Sequence, residues 1–244
     1  FMSEGEIAMT PIRRICLHMM LLAGVAFVAA PFFWMIGTSF KSFVESIQVP
    51  PTFIPKDPQW QNYAEVFRSM QFSLYYGNTL IVTVCKTLGQ LFICSLAAYA
   101  FARLDFPLKN VLFLGVLSVL MVPSQVVLIP KFVLMRELGW INSFLALIVP
   151  GVFSAFGTFL LRQFFLTIPK ELEDAAKIDG CGTFLIYSRI FLPLSVPGLV
   201  SLVIFTVLAS WNDFLWPLVV TTTDNMRVLS IGIASFQGEH MTNY

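Results

Sequence analysis

Five long apolar runs, at about 15–40, 74–101, 110–130, 143–166 and 195–220, leave this 244-residue sequence few choices of fold. Each is long enough to cross a hydrocarbon core of roughly 30 Å with some tilt. In lipid every backbone polar group must find its partner within the protein, so spanning segments are helices or strands of a closed barrel. None of the five runs shows the period-two alternation of barrel strands. The expectation is an all-α, polytopic membrane protein, with residues 1–244 forming one transmembrane domain. Composition agrees: 12% of residues are charged, against about 25% in an average soluble domain.

Arg13 and Arg14 precede the first run, and no small-residue cleavage site follows it. It therefore reads as a first membrane helix, not a signal peptide. Segment 41–73 is polar and carries Pro50, Pro51, Pro55 and Pro58, which forbid a long helix there. Within it, Gln61 to Met70 suits a short surface helix. Segment 131–142 reads as a short connection, and 223–244 as a polar stretch. With the N-terminus cytoplasmic, Arg13, Arg14, Arg103, Lys109, Arg162, Lys170, Lys177 and Arg189 fall inside, and Lys41, Lys56, Arg68, Lys131, Arg136 and Arg227 outside. That is a small positive-inside excess. Five spans put the C-terminus outside. A sixth helix beyond Tyr244 and a native five-span chain both account for this. A net charge of +1 with no basic cluster argues against a nucleic-acid partner. Cys16, Cys85, Cys94 and Cys181 are scattered, without a CxxC spacing, and are expected to be small buried apolar residues.

Charge is concentrated in one place. Lys170, Glu171, Glu173, Asp174, Lys177 and Asp179 fall within ten positions. Thr167 and Pro169 suit a helix start, and early acidic residues suit the helix dipole. Gly180 suits the left-handed position just past a helix end. Thr183 can cap a second helix to about Ile190, and Pro193 and Pro197 mark a return to the membrane. The spacing predicts helix, glycine turn, helix at the membrane surface. Leu172, Ala175, Ala176 and Asp179 share one face by the i, i+3, i+4, i+7 rule. A small-residue face with a charged rim has the outline of a short helix docking into a groove on another protein. A solvated loop is the plainer alternative.

Asp174-Ala175-Ala176, then Gly180, then Ile190-x-Leu192-Pro193 resembles the EAA loop of ATP-binding-cassette (ABC) importer permeases. AAYAFARLDFP (97–107), MVPSQVVLIP (121–130), LGWINSFLALIVP (138–150), TFLLRQFFLTIP (158–169) and WNDFLWPL (211–218) look like the carbohydrate branch, of the maltose-transporter type. The resemblance implies a smaller six-helix permease of the bacterial cytoplasmic (inner) membrane, which makes a missing sixth helix the better explanation of the early stop. It also implies that Glu173, Asp174, Ala175, Ala176, Asp179 and Gly180 form a cytoplasmic coupling element. The expected partners are two copies of an ATP-binding-cassette ATPase, a second homologous permease forming a heterodimer, an extracytoplasmic solute-binding protein and membrane lipid. ATP and magnesium belong to the ATPase, so this chain carries no cofactor and is no enzyme; it lacks a phosphate-binding loop of its own. Asp174 stands where the motif usually has Glu, and Cys181 where Ala is common.

Other polar residues suggest a route for solute. Lys86 lies deep in the second run, where a charge is costly and marks function by default; it can also snorkel or sit at a helix interface. Trp211, Asn212 and Asp213 combine rings with hydrogen-bonding groups, as a sugar path or an interfacial aromatic belt does. Gln237, Gly238 and Glu239 lie on the outer side, where a related permease meets its binding protein. The solute expected is a sugar or related polyol, with glycerol phosphate as an alternative. An ion-coupled secondary transporter using Lys86 and Asp213 is a rival reading. An intramembrane enzyme lacks any catalytic constellation, since His18 and His240 are far apart in sequence.

Overall fold

The computed structural model describes residues 11–235, which fall into two compact units, 11–70 and 71–235. The first begins with α1 (Pro11–Ser39), 29 residues long and without a buried residue. Short helices α2 (Phe43–Ser46) and α3 (Gln61–Ser69) follow, the latter at the expected place. The proline-rich stretch between them is held by side chains instead of a backbone ladder. Glu45 accepts from the Thr52 hydroxyl at 3.2 Å and the Lys56 N–H at 3.0 Å, while Lys41 donates to the Thr52 carbonyl.

The second unit is built around α4 (Phe72–Arg103), a helix of 32 residues. After it come α5 (Lys109–Ser118), α6 (Leu128–Glu137), α7 (Phe144–Ile148), α8 (Ala155–Thr167), α9 (Lys170–Ile178), α10 (Thr183–Ile186) and α11 (Leu192–Leu194). Helices α12 (Val196–Trp211), α13 (Leu215–Val220) and α14 (Leu229–Ser235) complete it, and the described residues contain no strand. Helices α8 and α12 pack on α4. Among the described residues, Pro11–Ser39, Phe72–Arg103 and Phe144–Thr167 are long and apolar enough to cross a membrane. Thr183–Leu194 and Val196–Trp211 reach that length only together and are bent by 76°, the form of a broken span or a re-entrant loop.

Three of the five expected spans are interrupted, that at 143–166 by extended Ser154 between α7 and α8. The run at 110–130 is apolar helix only to Met121. Val122 is extended (φ −91°, ψ 118°) because the following Pro123 excludes the helical region for it. The chain then re-enters helix as α6, so 131–142 is more than a connection. The run at 195–220 is helix only to Trp211, where Asn212 turns its amide back onto the Leu208 carbonyl at 2.8 Å. The cysteine expectation also needs correcting. Cys94 is buried and Cys181 partly so, but Cys16 and Cys85 sit on exposed faces of their helices.

Two buried clusters lie along α4. Val82 joins Met135, Ala146, Leu147, Trp216, Val220, Val228 and Ile231. There Trp216 donates to the Ala146 carbonyl at 2.9 Å, and Asn142 Oδ1 accepts from the N–H groups of Thr222 and Thr223. Toward the other end, Cys94, Ala98 and Tyr99 pack with Leu161, Phe165, Ile186, Tyr187, Phe191 and Leu202. Between α8 and α12, Gly198 presses against Phe164, and an added Cβ would lie 2.6 Å from the ring. Membrane helices gain stability from such close approach. Gly198→Ala is expected to cost about 1–3 kcal/mol by overpacking. A lowered thermal midpoint of the detergent-purified protein checks this; an unchanged midpoint would show that the ring yields freely.

Candidate functional site

The charged stretch folds as expected in outline. Helix α9 runs from Lys170 with Pro169 just before it, and Glu171 and Glu173 fall in its first turn. It ends in a left-handed Gly180 at φ +80°. The Gly180 N–H reaches the Lys177 carbonyl at 3.0 Å and the Cys181 N–H reaches the Ala176 carbonyl at 2.9 Å. These are the paired bonds of a Schellman end, which satisfy carbonyls that the helix leaves open. The second helix starts at Thr183 with Gly182, not Thr183, in the capping position. It continues past Ile190 through a π-helical turn, Tyr187–Phe191, into α11.

The faces of α9 differ from the expected pattern. Glu173 and Ala176 are its buried residues. Leu172, Asp174, Ala175, Ile178 and Asp179 are exposed, Ile178 at 86%. Of the four residues expected to share the docking face, Leu172, Ala175 and Asp179 are exposed, and Ala176 alone faces inward with Glu173. Ala176 joins the apolar cluster, and Glu173 faces Arg103 at the end of α4, a residue that sequence reasoning treated only as an inner-edge charge. Its guanidinium donates to the carbonyls of Phe165, at 2.6 Å, and Ile168, near the end of α8. It lies over the Phe191 ring at 4.8 Å and 4.0 Å from the Glu173 carboxylate. Lys177 closes on the other Glu173 oxygen at 2.8 Å. That hydrogen bond raises the Lys177 ammonium above the ordinary lysine range. The Lys177 contribution to the pair is therefore present at neutral pH and is lost as pH rises through that raised value.

A second site lies within the membrane-spanning part. Lys86 and Gln90 flank the midpoint of α4 and open onto a cavity of about 330 Å³. Gly151, Ser154, Thr206, Ser210 and Asp213 contribute to its wall. Lys86 Nζ is 3.4 Å from Asp213 Oδ2. Gln90 donates to the Gly151 carbonyl at 2.7 Å and accepts from Thr206 at 2.8 Å. Of the four expected pathway residues, Lys86 and Asp213 thus come together. Trp211 and Asn212 are not part of the wall: Trp211 packs edge-on against Tyr76, and the Asn212 side chain is spent on Leu208. Gln90, Ser154, Thr206 and Ser210 were missed. A signal existed: Gln90 is one turn from Lys86, and Ser210 one turn from Thr206, so each pair shares a helix face. Gln237, Gly238 and Glu239 lie outside the described residues.

Comparison with known proteins gives a consistent picture. Residues 90–240 match the family model described as binding-protein-dependent transport system inner membrane component. An sn-glycerol-3-phosphate transport system permease protein of Yersinia enterocolitica is 34% identical over 224 residues, covering 89% of this chain and 80% of that protein. An arabinooligosaccharides transport system permease protein of Halalkalibacterium halodurans is 36% identical over 226 residues, covering 91% and 81%. The crystal structure of a bacterial ABC transporter involved in the import of the acidic polysaccharide alginate contains a chain of the same fold. It has a TM-score of 0.79 at 22% identity, covering 97% of this chain and 82% of that one.

Proposed function

The chain belongs to the binding-protein-dependent transport system inner membrane components, and from that premise we propose how its two sites divide the work of import. It is a multi-pass protein of the inner membrane and the permease subunit of an ABC importer. Such a subunit works with an ATPase and a solute-binding protein. The finer assignment is two ATPase copies carrying ATP and magnesium, one extracytoplasmic binding protein and a second, homologous permease completing a heterodimer. The solute is a sugar or related polyol, admitted by alternating access.

Helix α9 and the Gly180 turn are the coupling element. The observation that carries this is the split of α9 into two faces. Glu173 and Ala176 hold it to the transmembrane helices, while Leu172, Asp174, Ala175, Ile178 and Asp179 are left exposed. An apolar Ile178 set among exposed acids suits a groove on a partner better than it suits water. ATP binding and hydrolysis move that partner, and α9 carries the movement to α4 and α8. The membrane state shifts only by the difference in affinity that ATP and loaded binding protein have for its two conformations.

Charge reversal tests the docking face. Asp174→Lys is expected to insert and purify normally, since Asp174 is exposed and touches no buried group. ATP hydrolysis should then proceed with solute uptake reduced about tenfold or more, the loss expected for removing a contact worth over about 1.4 kcal/mol. Uptake and ATPase rates in the same proteoliposomes decide it, and unchanged uptake would remove the docking role from this face.

A further inference from the structure

Resting on this permease reading, we propose that the cavity at the middle of α4 takes an uncharged, polyhydroxylated part of the solute. In this arrangement Asp213 accepts from solute hydroxyls, and Lys86 is the residue that positions Asp213.

Three observations converge. The first is place. Lys86 and Gln90 flank the midpoint of a 32-residue spanning helix, and Asp213 occupies the break between α12 and α13. Interrupted helices near the middle of the membrane are where transporters form solute sites. The second is charge. The described wall holds one cation and one anion, 3.4 Å apart. Lys131, the neighbouring lysine, is not part of the wall and lies 3.6 Å from the face of Trp216. The pair is unequally open: the Lys86 side chain is 9% exposed and that of Asp213 26%. A solute therefore meets the carboxylate first. An ionised carboxylate only accepts hydrogen bonds, so the group opposite it must donate. Sugar hydroxyls donate. A phosphate or carboxylate brings acceptors where Asp213 needs donors.

The third observation is the rest of the wall. Ser154, Thr206 and Ser210 add hydroxyls, and Phe156 and Phe205 meet edge-to-face with centroids 5.4 Å apart. Rings beside hydroxyls match the mixed C–H and O–H surface of a sugar. Gly151 fixes the geometry, since an added Cβ there would lie 2.9 Å from Lys86 Cε. The lysine stem lies across this glycine with its ammonium directed to Asp213. At about 330 Å³ the cavity is at the small end of the roughly 300–1,000 Å³ typical of ligand sites. It fits a short portion of a solute. The inference separates this chain from relatives named for glycerol phosphate and alginate.

The test reads the electrostatics of the cavity in the full chain, within the assembly that co-purifies with it, in lipid nanodiscs. Cys16, Cys85 and Cys181 are replaced by Ala; Cys94 is fully buried and stays. Ala209→Cys then places a thiol on the wall. Its modification is timed with a positively charged trimethylammonium thiosulfonate and with a negatively charged sulfonate analogue, each normalised to its rate with a free thiol. The cationic reagent is expected to win by about two- to threefold, because the carboxylate is the more open member of its ion pair. Asp213→Asn should reverse the preference, and Lys86→Met should increase it. A faster sulfonate reaction with Asp213 present, or both variants moving the ratio the same way, overturns the proposal. So does ATP-driven uptake of labelled sn-glycerol 3-phosphate by the wild-type assembly. ATP hydrolysis by the same preparation separates the two readings. An assembly without it refutes the importer reading, whereas active hydrolysis with a sulfonate-preferring cavity refutes only the neutral-solute inference.

Discussion

Arg103→Met is expected to lower the stability of the purified protein by about 3 kcal/mol, the upper end of the range for losing a charged hydrogen-bond donor. Three losses combine. The carbonyls of Phe165 and Ile168 lose a charged donor, where such hydrogen bonds are worth about 1.5–3 kcal/mol each. Phe191 loses the guanidinium over its face. Glu173, with a side chain only 4% exposed, keeps Lys177 as its remaining cation. These terms share one side chain and do not add. Glu173 lies 4.0 Å from Arg103 but 2.8 Å from Lys177, so the carbonyl bonds, more than the Glu173 contact, dominate the cost.

The functional consequence follows from the same geometry. Arg103 belongs to α4, its acceptors lie at the end of α8, and Glu173 belongs to α9. One guanidinium thus ties α9 to two transmembrane helices. Without it, α9 can move under its partner without carrying α4 along. Arg103→Met proteoliposomes should therefore hydrolyse ATP while the number of solutes imported per ATP falls. Arg103→Lys keeps the charge but loses the planar fork that reaches two carbonyls, so it should recover stability only in part. A double-mutant cycle with Glu173→Gln isolates the ion pair from the carbonyl bonds. Wild-type stability and uptake ratio in Arg103→Met would sink the idea of a joint.

What the sequence reveals follows from what local chemistry can encode. The apolar runs predict a polytopic helical protein because lipid allows little else. The Schellman end of α9 is legible because a glycine in the left-handed region has a short list of uses. The interruptions at Val122 and at Asn212–Asp213 were equally written, in Pro123 and in two adjacent polar residues. Run length outweighed them, because hydropathy measures transfer to lipid and is blind to backbone continuity. The inward turn of Glu173 was not legible, since Arg103, which it meets, lies some 70 positions away in the chain. The same holds for the cavity. Lys86 stood out as a costly charge, but its partner across α12 is set by packing. Trp211 and Asn212, chosen because rings beside hydrogen-bonding groups suit a sugar, are spent on Tyr76 and on the Leu208 carbonyl.

Gly180→Pro is expected to uncouple ATP hydrolysis from uptake and to cost about 3 kcal/mol or more locally. Proline fixes φ near −65° and has no N–H, whereas Gly180 sits at φ +80° and its N–H bonds to Lys177. The Schellman end must therefore unravel, and with it the bond from Cys181 to Ala176. Space plays no part, because an added Cβ at Gly180 meets nothing within 4 Å. This makes a sharp control available. Asparagine tolerates the left-handed region better than other residues with a side chain, so Gly180→Asn should keep near-normal uptake. Gly180→Ala should fall between, at roughly 1 kcal/mol. The order Asn, Ala, Pro in solute imported per ATP is then a reading of backbone conformation alone. If Asn and Pro were equally damaging, the turn would matter for what it touches on a partner surface. If all three were harmless, the angle between α9 and α10 would have no part in coupling.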